Sequence, residues 1–209
     1  MGEPGFLLRG LVLGFSIAAP VGPIGVLCIR RTLAEGRSTG FATGMGAAAA
    51  DGLYGLVAGL GLTWVTAALI GRQSWIRLIG GLFLLALGAR TFFSRPAGEA
   101  AGVPAGGMAA AFGTTFLLTI TNPMTILSFV AAFAGLGLGA ATSGPATAVL
   151  LVTGVVVGSA AWWVTLSGAV GALRHRFDAR ALTWVNRVSG AVIVGFGVAA
   201  LASLVVETA

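Results

Sequence analysis

The sequence predicts an all-α, polytopic membrane protein of six transmembrane helices, arranged as two inverted three-helix repeats with proline-broken helices 1 and 4. Three observations carry this. The chain of 209 residues is 57% hydrophobic and 9% charged, with a mean hydropathy of +1.00, where a soluble domain carries about 25% charged residues. Its apolar residues fall in runs at about 6–29, 41–70, 75–93, 109–138, 147–172 and 188–206, to be set against the roughly 20 residues that cross a ~30 Å hydrocarbon core. The last three runs also repeat the first three.

The repeat is read by offset. A shift of 103 residues places Pro20 on Pro123 and Gly55 on Gly158; a shift of 109 places Trp75, Gly81 and Gly88 on Trp184, Gly190 and Gly197. Three spans per repeat is an odd number, so the halves insert in opposite orientations, an architecture of many secondary transporters. The chain then reads as one transmembrane domain: repeat one at about 6–93, a linker at about 94–108 and repeat two at about 109–206. The linker contains SRPAGEAAGVPAGG, whose prolines, glycines and Glu99 exclude a regular span. The segment 174–187, RHRFDARALTWVNR, is expected to form an amphipathic interfacial helix with Trp184 at headgroup level. The N-terminus, MGEPGFLLRG, has an acidic lead-in and reads as the start of a span rather than a cleavable signal peptide.

All twelve basic residues are arginine and the net charge is +6. Nucleic acid is not the implied partner, because the arginines sit in short loops between apolar runs, where they act as topology signals. Arg30, Arg31, Arg37, Arg90, Arg95, Arg174, Arg176, Arg180 and Arg187 gather on one side, against Arg9, Arg72 and Arg77 on the other. The positive-inside rule makes the first group cytoplasmic and leaves both termini outside the cell (inner) membrane. The single Cys28 cannot form an intramolecular disulfide, a redox pair or a multi-thiolate metal site, and His175 is equally alone. No metal or cofactor is implied.

Asp51 is the most informative residue. It is the only charge in 41–70 and lies roughly 15 Å from Phe41 along a helix, near mid-bilayer. An ionisable group there costs at least roughly 2.5–3.5 kcal/mol on insertion scales and marks an ion or substrate path. The plainer alternative is a neutral Asp51 satisfied by a neighbour such as Tyr54. Gly44, Ala48, Gly52, Gly55 and Gly59 on the same span read as helix packing. Trp162 and Trp163 lie mid-span, where core packing is the expected role and one of them lining a cavity the other reading.

Both repeats break their first helix at membrane depth. Pro20 and Pro23 interrupt the first run and Asn122-Pro123 the fourth; proline removes a donor, clashes with the preceding turn and displaces its predecessor from helical geometry. Backbone freed in hydrocarbon is tolerated only where protein or a cavity satisfies it, so paired breaks point to a substrate site. Thr119, Thr121, Asn122, Thr125 and Ser128 surround the second break. Helix–helix bonding is the expected role for Ser128. No arginine or lysine is expected at this depth, so half-helix N-termini would bind a substrate anion, favouring a zwitterion.

The run GPIGVLCIRRTLAEGRSTGFATGMGAAAADGLYGLVAGLGL at 22–62 resembles the N-terminal signature of the lysine exporter family of amino-acid exporters, and TNPMTILSF at 121–129 resembles its second signature. The resemblance covers nearly the whole chain. It implies a six-helix secondary exporter of amino acids or related small solutes, with Pro20, Gly22, Pro23, Asp51, Asn122 and Pro123 as functional positions. Many members read Pro-Gly-Pro where this chain has Pro20-Val21-Gly22-Pro23, and Lys where it has Met124, so substrate charge preference departs from the pattern.

The expected function is export of an amino acid or small zwitterion coupled to proton or sodium entry, through a site of Asp51, Pro20, Gly22, Pro23, Tyr54, Thr121, Asn122, Pro123 and Thr125. The partners are then a small-molecule substrate, a coupling ion and the bilayer, with a homodimer allowed. The alternative is efflux of a metal or other inorganic cation, which a single membrane carboxylate disfavours. A membrane enzyme lacks a Ser/His/Asp set, and a thiol–disulfide carrier would need a second cysteine.

Overall fold

The computed structural model describes residues 4–20, 22–59, 71–93, 107–122, 125–126, 128–129, 145–176 and 178–208. These are helical almost throughout, and no strand occurs among them. α1 (Pro4–Ala18) begins on a proline, whose missing N–H is no loss in a first turn. It stops before Pro20, which has no amide to continue the ladder and displaces Ala19. Gly22 is extended (φ −102°, ψ −164°) and α2 (Pro23–Glu35) restarts with proline at its first position. The two helices meet at a 78° bend. At the far end of α2, Gly36 adopts φ 104°, which a side chain would strain, and its N–H closes on the Thr32 carbonyl. This one residue turns the chain into α3 (Arg37–Gly59).

α4 (Gln73–Phe92) and α5 (Gly107–Ile120) follow. α6 (Pro145–Leu173) ends in a 3-10 turn at Arg174–Arg176. Asp178 caps α7 (Ala179–Thr208), its Oδ1 accepting the Ala181 N–H at 2.7 Å. Ser74–Phe92, Ala146–Arg176 and Arg180–Leu204 are long and apolar enough to span a membrane, and α1 and α2 meet the same measure only when taken together across their bend. α5 is a shorter apolar helix because the chain leaves helical geometry after Ile120. Residues 60–70, 94–106, 123–124 and 130–144 lie outside the described residues, Pro123 and most of the linker among them.

Two expectations need correcting. Arg30 and Arg31 belong to α2 and not to a loop, since nothing breaks the helix before Gly36. The segment 174–187 is not a separate interfacial helix. From Ala179 it forms the first turns of α7, with no proline to interrupt it, and Trp184 is exposed there.

α1 packs along α6, α3 lies between α5 and α6, and α4 pairs with α7, while α2 seats against α3, α6 and α7. Leu27, Cys28, Ala47, Leu118, Trp163 and Ile193 form the centre. Leu8, Val12, Ile79, Leu82, Val149, Val157, Val188 and Val198 face outward, an apolar exterior suited to lipid. Small residues set the helix spacing. A Cβ on Gly158 would strike the Leu11 carbonyl, and one on Gly14 the Val155 carbonyl. On α4 and α7, Gly81 faces Gly197 and Gly88 faces Gly190, at backbone-to-backbone approach. On α3, Gly44 abuts Trp163 and Gly52 abuts Val156, as the small-residue stripe predicts.

Gly158→Ala should therefore destabilise the purified protein by about 1–3 kcal/mol through overpacking. A methyl group at Gly113 would meet nothing within 4 Å, so Gly113→Ala should be neutral or stabilising, by up to ~1 kcal/mol of helix propensity. Thermal unfolding in detergent compares the two.

Candidate substrate cavity

Both helix breaks open onto one cavity of about 650 Å³. Pro20, Gly22 and Pro23 line it from the first break, Thr121, Asn122 and Thr125 from the second, and Asp51 from α3. These are seven of the sequence-predicted site residues. Ser128, expected to serve packing, also borders it. Pro123 lies outside the described residues.

The two breaks restart helices in the same manner. After the first, the Gly22 carbonyl accepts the Val26 N–H at 3.1 Å. After the second, the Asn122 carbonyl accepts the Thr125 and Ile126 N–H groups at 3.1 and 3.2 Å. Gly22 thus caps the start of α2, whose first-turn amides and partial positive charge lie beside the cavity that Pro23, Ile24 and Gly25 also line. Tyr54 does not line the cavity. Its hydroxyl donates to the carbonyl of Ile120, the last residue of α5, and its ring stacks on Phe129.

Asp51 is 3% exposed. Its partner is Ser159 of α6, not Tyr54: the Ser159 hydroxyl donates to Asp51 Oδ2 at 2.7 Å. The Trp163 indole N–H in turn donates to Ser159 Oγ at 3.2 Å, and Trp163 borders the cavity. Ser159 and Trp163 stand one helical turn apart, so a single face of α6 supplies both donors. The chain of donors orients the carboxylate and leaves its other oxygen for solvent, ligand or ion.

Beyond Asp51, toward the arginine-rich end, the bundle is closed. Leu27, Cys28, Thr43 and Thr115 are each fully buried. Arg31 is buried among them and donates to Thr43 Oγ1, the Ala111 carbonyl and Thr115 Oγ1 at 3.1–3.2 Å. Arg30 donates to Asn186 Oδ1 at 3.0 Å and pairs with Glu35 at 2.9 Å. Arg174 donates to the Leu33 carbonyl at 2.9 Å. Four helices are thereby tied to α2 on the side away from the cavity.

The family profile described as LysE type translocator matches residues 15–204. The chain belongs to this translocator family. It is also 26% identical, over 196 residues, to the Bacillus subtilis (strain 168) protein named "Putative amino acid efflux protein YcgF"; the match covers 91% of this chain and 92% of that one. No solved structure matches it significantly. The cavity is accordingly that of a multi-pass membrane transporter.

Sequence reasoning misses two residues of this translocator's cavity region, Ser159 and Arg77. Ser159 carries a weak signal, its four-residue spacing from Trp163. Arg77 reads as a rim charge, yet it lines the cavity together with Gly80 of α4, so a cation is present where none was expected. Trp163, expected chiefly to pack the core, does that and also borders the cavity.

Tyr54→Phe should cost about 0.5–1.5 kcal/mol of stability, the worth of one hydrogen bond, and should lower solute affinity less than Asn122→Ala does. Thermal unfolding and solute binding on the two variants check both halves of this.

Proposed function

We infer that the protein exports an amino acid or related small zwitterion from the cytoplasm, driven by entry of a proton or sodium ion at Asp51. The observation that carries the reading is the convergence of Asp51 and two helix breaks on one cavity with ample room for an amino acid. Family membership and the amino-acid efflux name of the B. subtilis relative support it.

An inverted-repeat architecture is supported by the packing. The pairing of α1 with α6 and of α3 with α5 is what a twofold relation between halves requires. Under the 109-residue shift, Gly81 corresponds to Gly190 and Gly88 to Gly197. The contact of Gly81 with Gly197 therefore maps onto that of Gly190 with Gly88, and both contacts are present. Arginine bias supports placing the arginine-rich end in the cytoplasm and both termini outside. In that orientation the closed layer around Arg31 is the inner gate, and the cavity is in its outward-facing state.

The coupling step follows from charge. A carboxylate facing water can be ionised, but enclosed in a low-dielectric bundle it needs a bound proton or cation. Occlusion is therefore favoured when Asp51 is neutralised, which links ion entry to the conformational exchange that carries solute outward. Metal-cation efflux is less well supported: among the described residues no three His, Cys, Asp or Glu side chains converge.

Asp51→Asn should fold and insert normally yet lose gradient-driven export in proteoliposomes, and whatever solute exchange remains should no longer respond to the ion gradient. An Asn variant that still concentrates solute against its gradient would make Asp51 structural only.

A further inference from the structure

We propose that Arg77 is the carboxylate subsite of the cavity, a specificity-determining residue that holds the acidic group of the exported solute. The proposal rests on the amino-acid export reading and deepens it. Among the described residues lining the cavity, the charged ones are Asp51 and Arg77. One negative and one positive group in an otherwise apolar and hydroxyl-bearing wall match a ligand that carries one of each.

The register of α4 explains how Arg77 reaches the cavity. Arg77, Gly80 and Leu84 recur at three- and four-residue spacing, which is one helix face, and all three line the cavity. Gly80 brings that face against the second break. A Cβ there would stand 2.8 Å from the Thr121 carbonyl, so no larger residue permits the approach without a shift. Arg77 is one turn away from this contact, beside a wall to which Thr121 and Asn122 also contribute. Arg77 is half-buried, as are Ile76 and Leu78 beside it, whereas Arg72 and Trp75 nearer the start of α4 are exposed.

Guanidinium chemistry suits the role. Arginine offers five N–H donors in a rigid fork that matches a carboxylate bidentately. It can hold a protein acceptor and a ligand oxygen together. An ionised hydrogen bond in a partly desolvated cavity is stronger than a neutral one. Asp51, on α3, then faces the cationic end of the solute or the coupling ion.

The test uses the full-length protein in proteoliposomes and matched probe pairs that differ only in the carboxylate: lysine and cadaverine, leucine and 3-methylbutylamine, phenylalanine and phenethylamine. Labelled amino acid is followed by counterflow, and each unlabelled probe competes. Wild type should favour the amino acid of the transported pair over its amine by roughly 10- to 100-fold, as expected for one charged hydrogen-bonded contact. Arg77→Gln should bring that ratio close to one, and Arg77→Lys should keep part of it. Equal competition by amine and amino acid in wild type overturns the proposal without any variant having to fold. So does a wild-type ratio retained in a folded Arg77→Gln. Absence of counterflow for every one of the twenty proteinogenic amino acids would instead overturn the export reading, and this proposal with it.

Discussion

A polypeptide that leaves helical geometry inside hydrocarbon must find new partners for every amide and carbonyl it frees. The architecture around the cavity answers to that constraint. Pro20, Pro23 and the Asn122-Pro123 pair force the departures, and the breaks are tolerable because something stands ready at each one. Gly22 and Asn122 turn the freed ends into caps for new helical segments. Tyr54 reaches from α3 to the Ile120 carbonyl. Pro20, Gly22, Pro23 and Asn122 border a cavity that can hold water or solute, so the breaks stand beside the candidate site.

Glycine makes the second half of the arrangement possible. Hydrocarbon supplies no hydrophobic drive between helices, so contact depends on close backbone approach. Gly10, Gly14, Gly154 and Gly158 join α1 to α6, and the crossed Gly81–Gly197 and Gly88–Gly190 contacts join α4 to α7. These pairs set the scaffold, while α2, between the 78° bend and Gly36, packs closely on α3 at Gly40 and Thr32 and is also held by side-chain hydrogen bonds from Arg30, Arg31 and Arg174.

Much of this is legible in the sequence because it is written locally. Proline fixes where a helix must break, an isolated Asp51 declares its own cost, and Gly spacing announces close packing. Pro20, Gly22, Pro23, Thr121, Asn122, Thr125 and Asp51, each singled out in the sequence, join in one cavity. What escapes is register between distant helices. Ser159 meets Asp51 across 108 residues, a contact set by how α3 crosses α6 and not by any local spacing. Arg31 resembles a topology arginine until α2 is seen to run on to Glu35 and bury it against α3 and α5. Arg77 resembles one too, until Gly80 turns its face toward the second break. Charges near span ends have two fates, and only packing separates them.

The central claim is that Asp51 is an accessible carboxylate within the transported solute's own cavity. Dicyclohexylcarbodiimide, an apolar reagent for carboxyl groups within membranes, tests it most directly when the adduct is located by mass spectrometry. The account predicts modification at Asp51, slowed by an amino acid that the protein exports and unaffected by one it does not. Modification at an unchanged rate in the presence of every exported amino acid would contradict it.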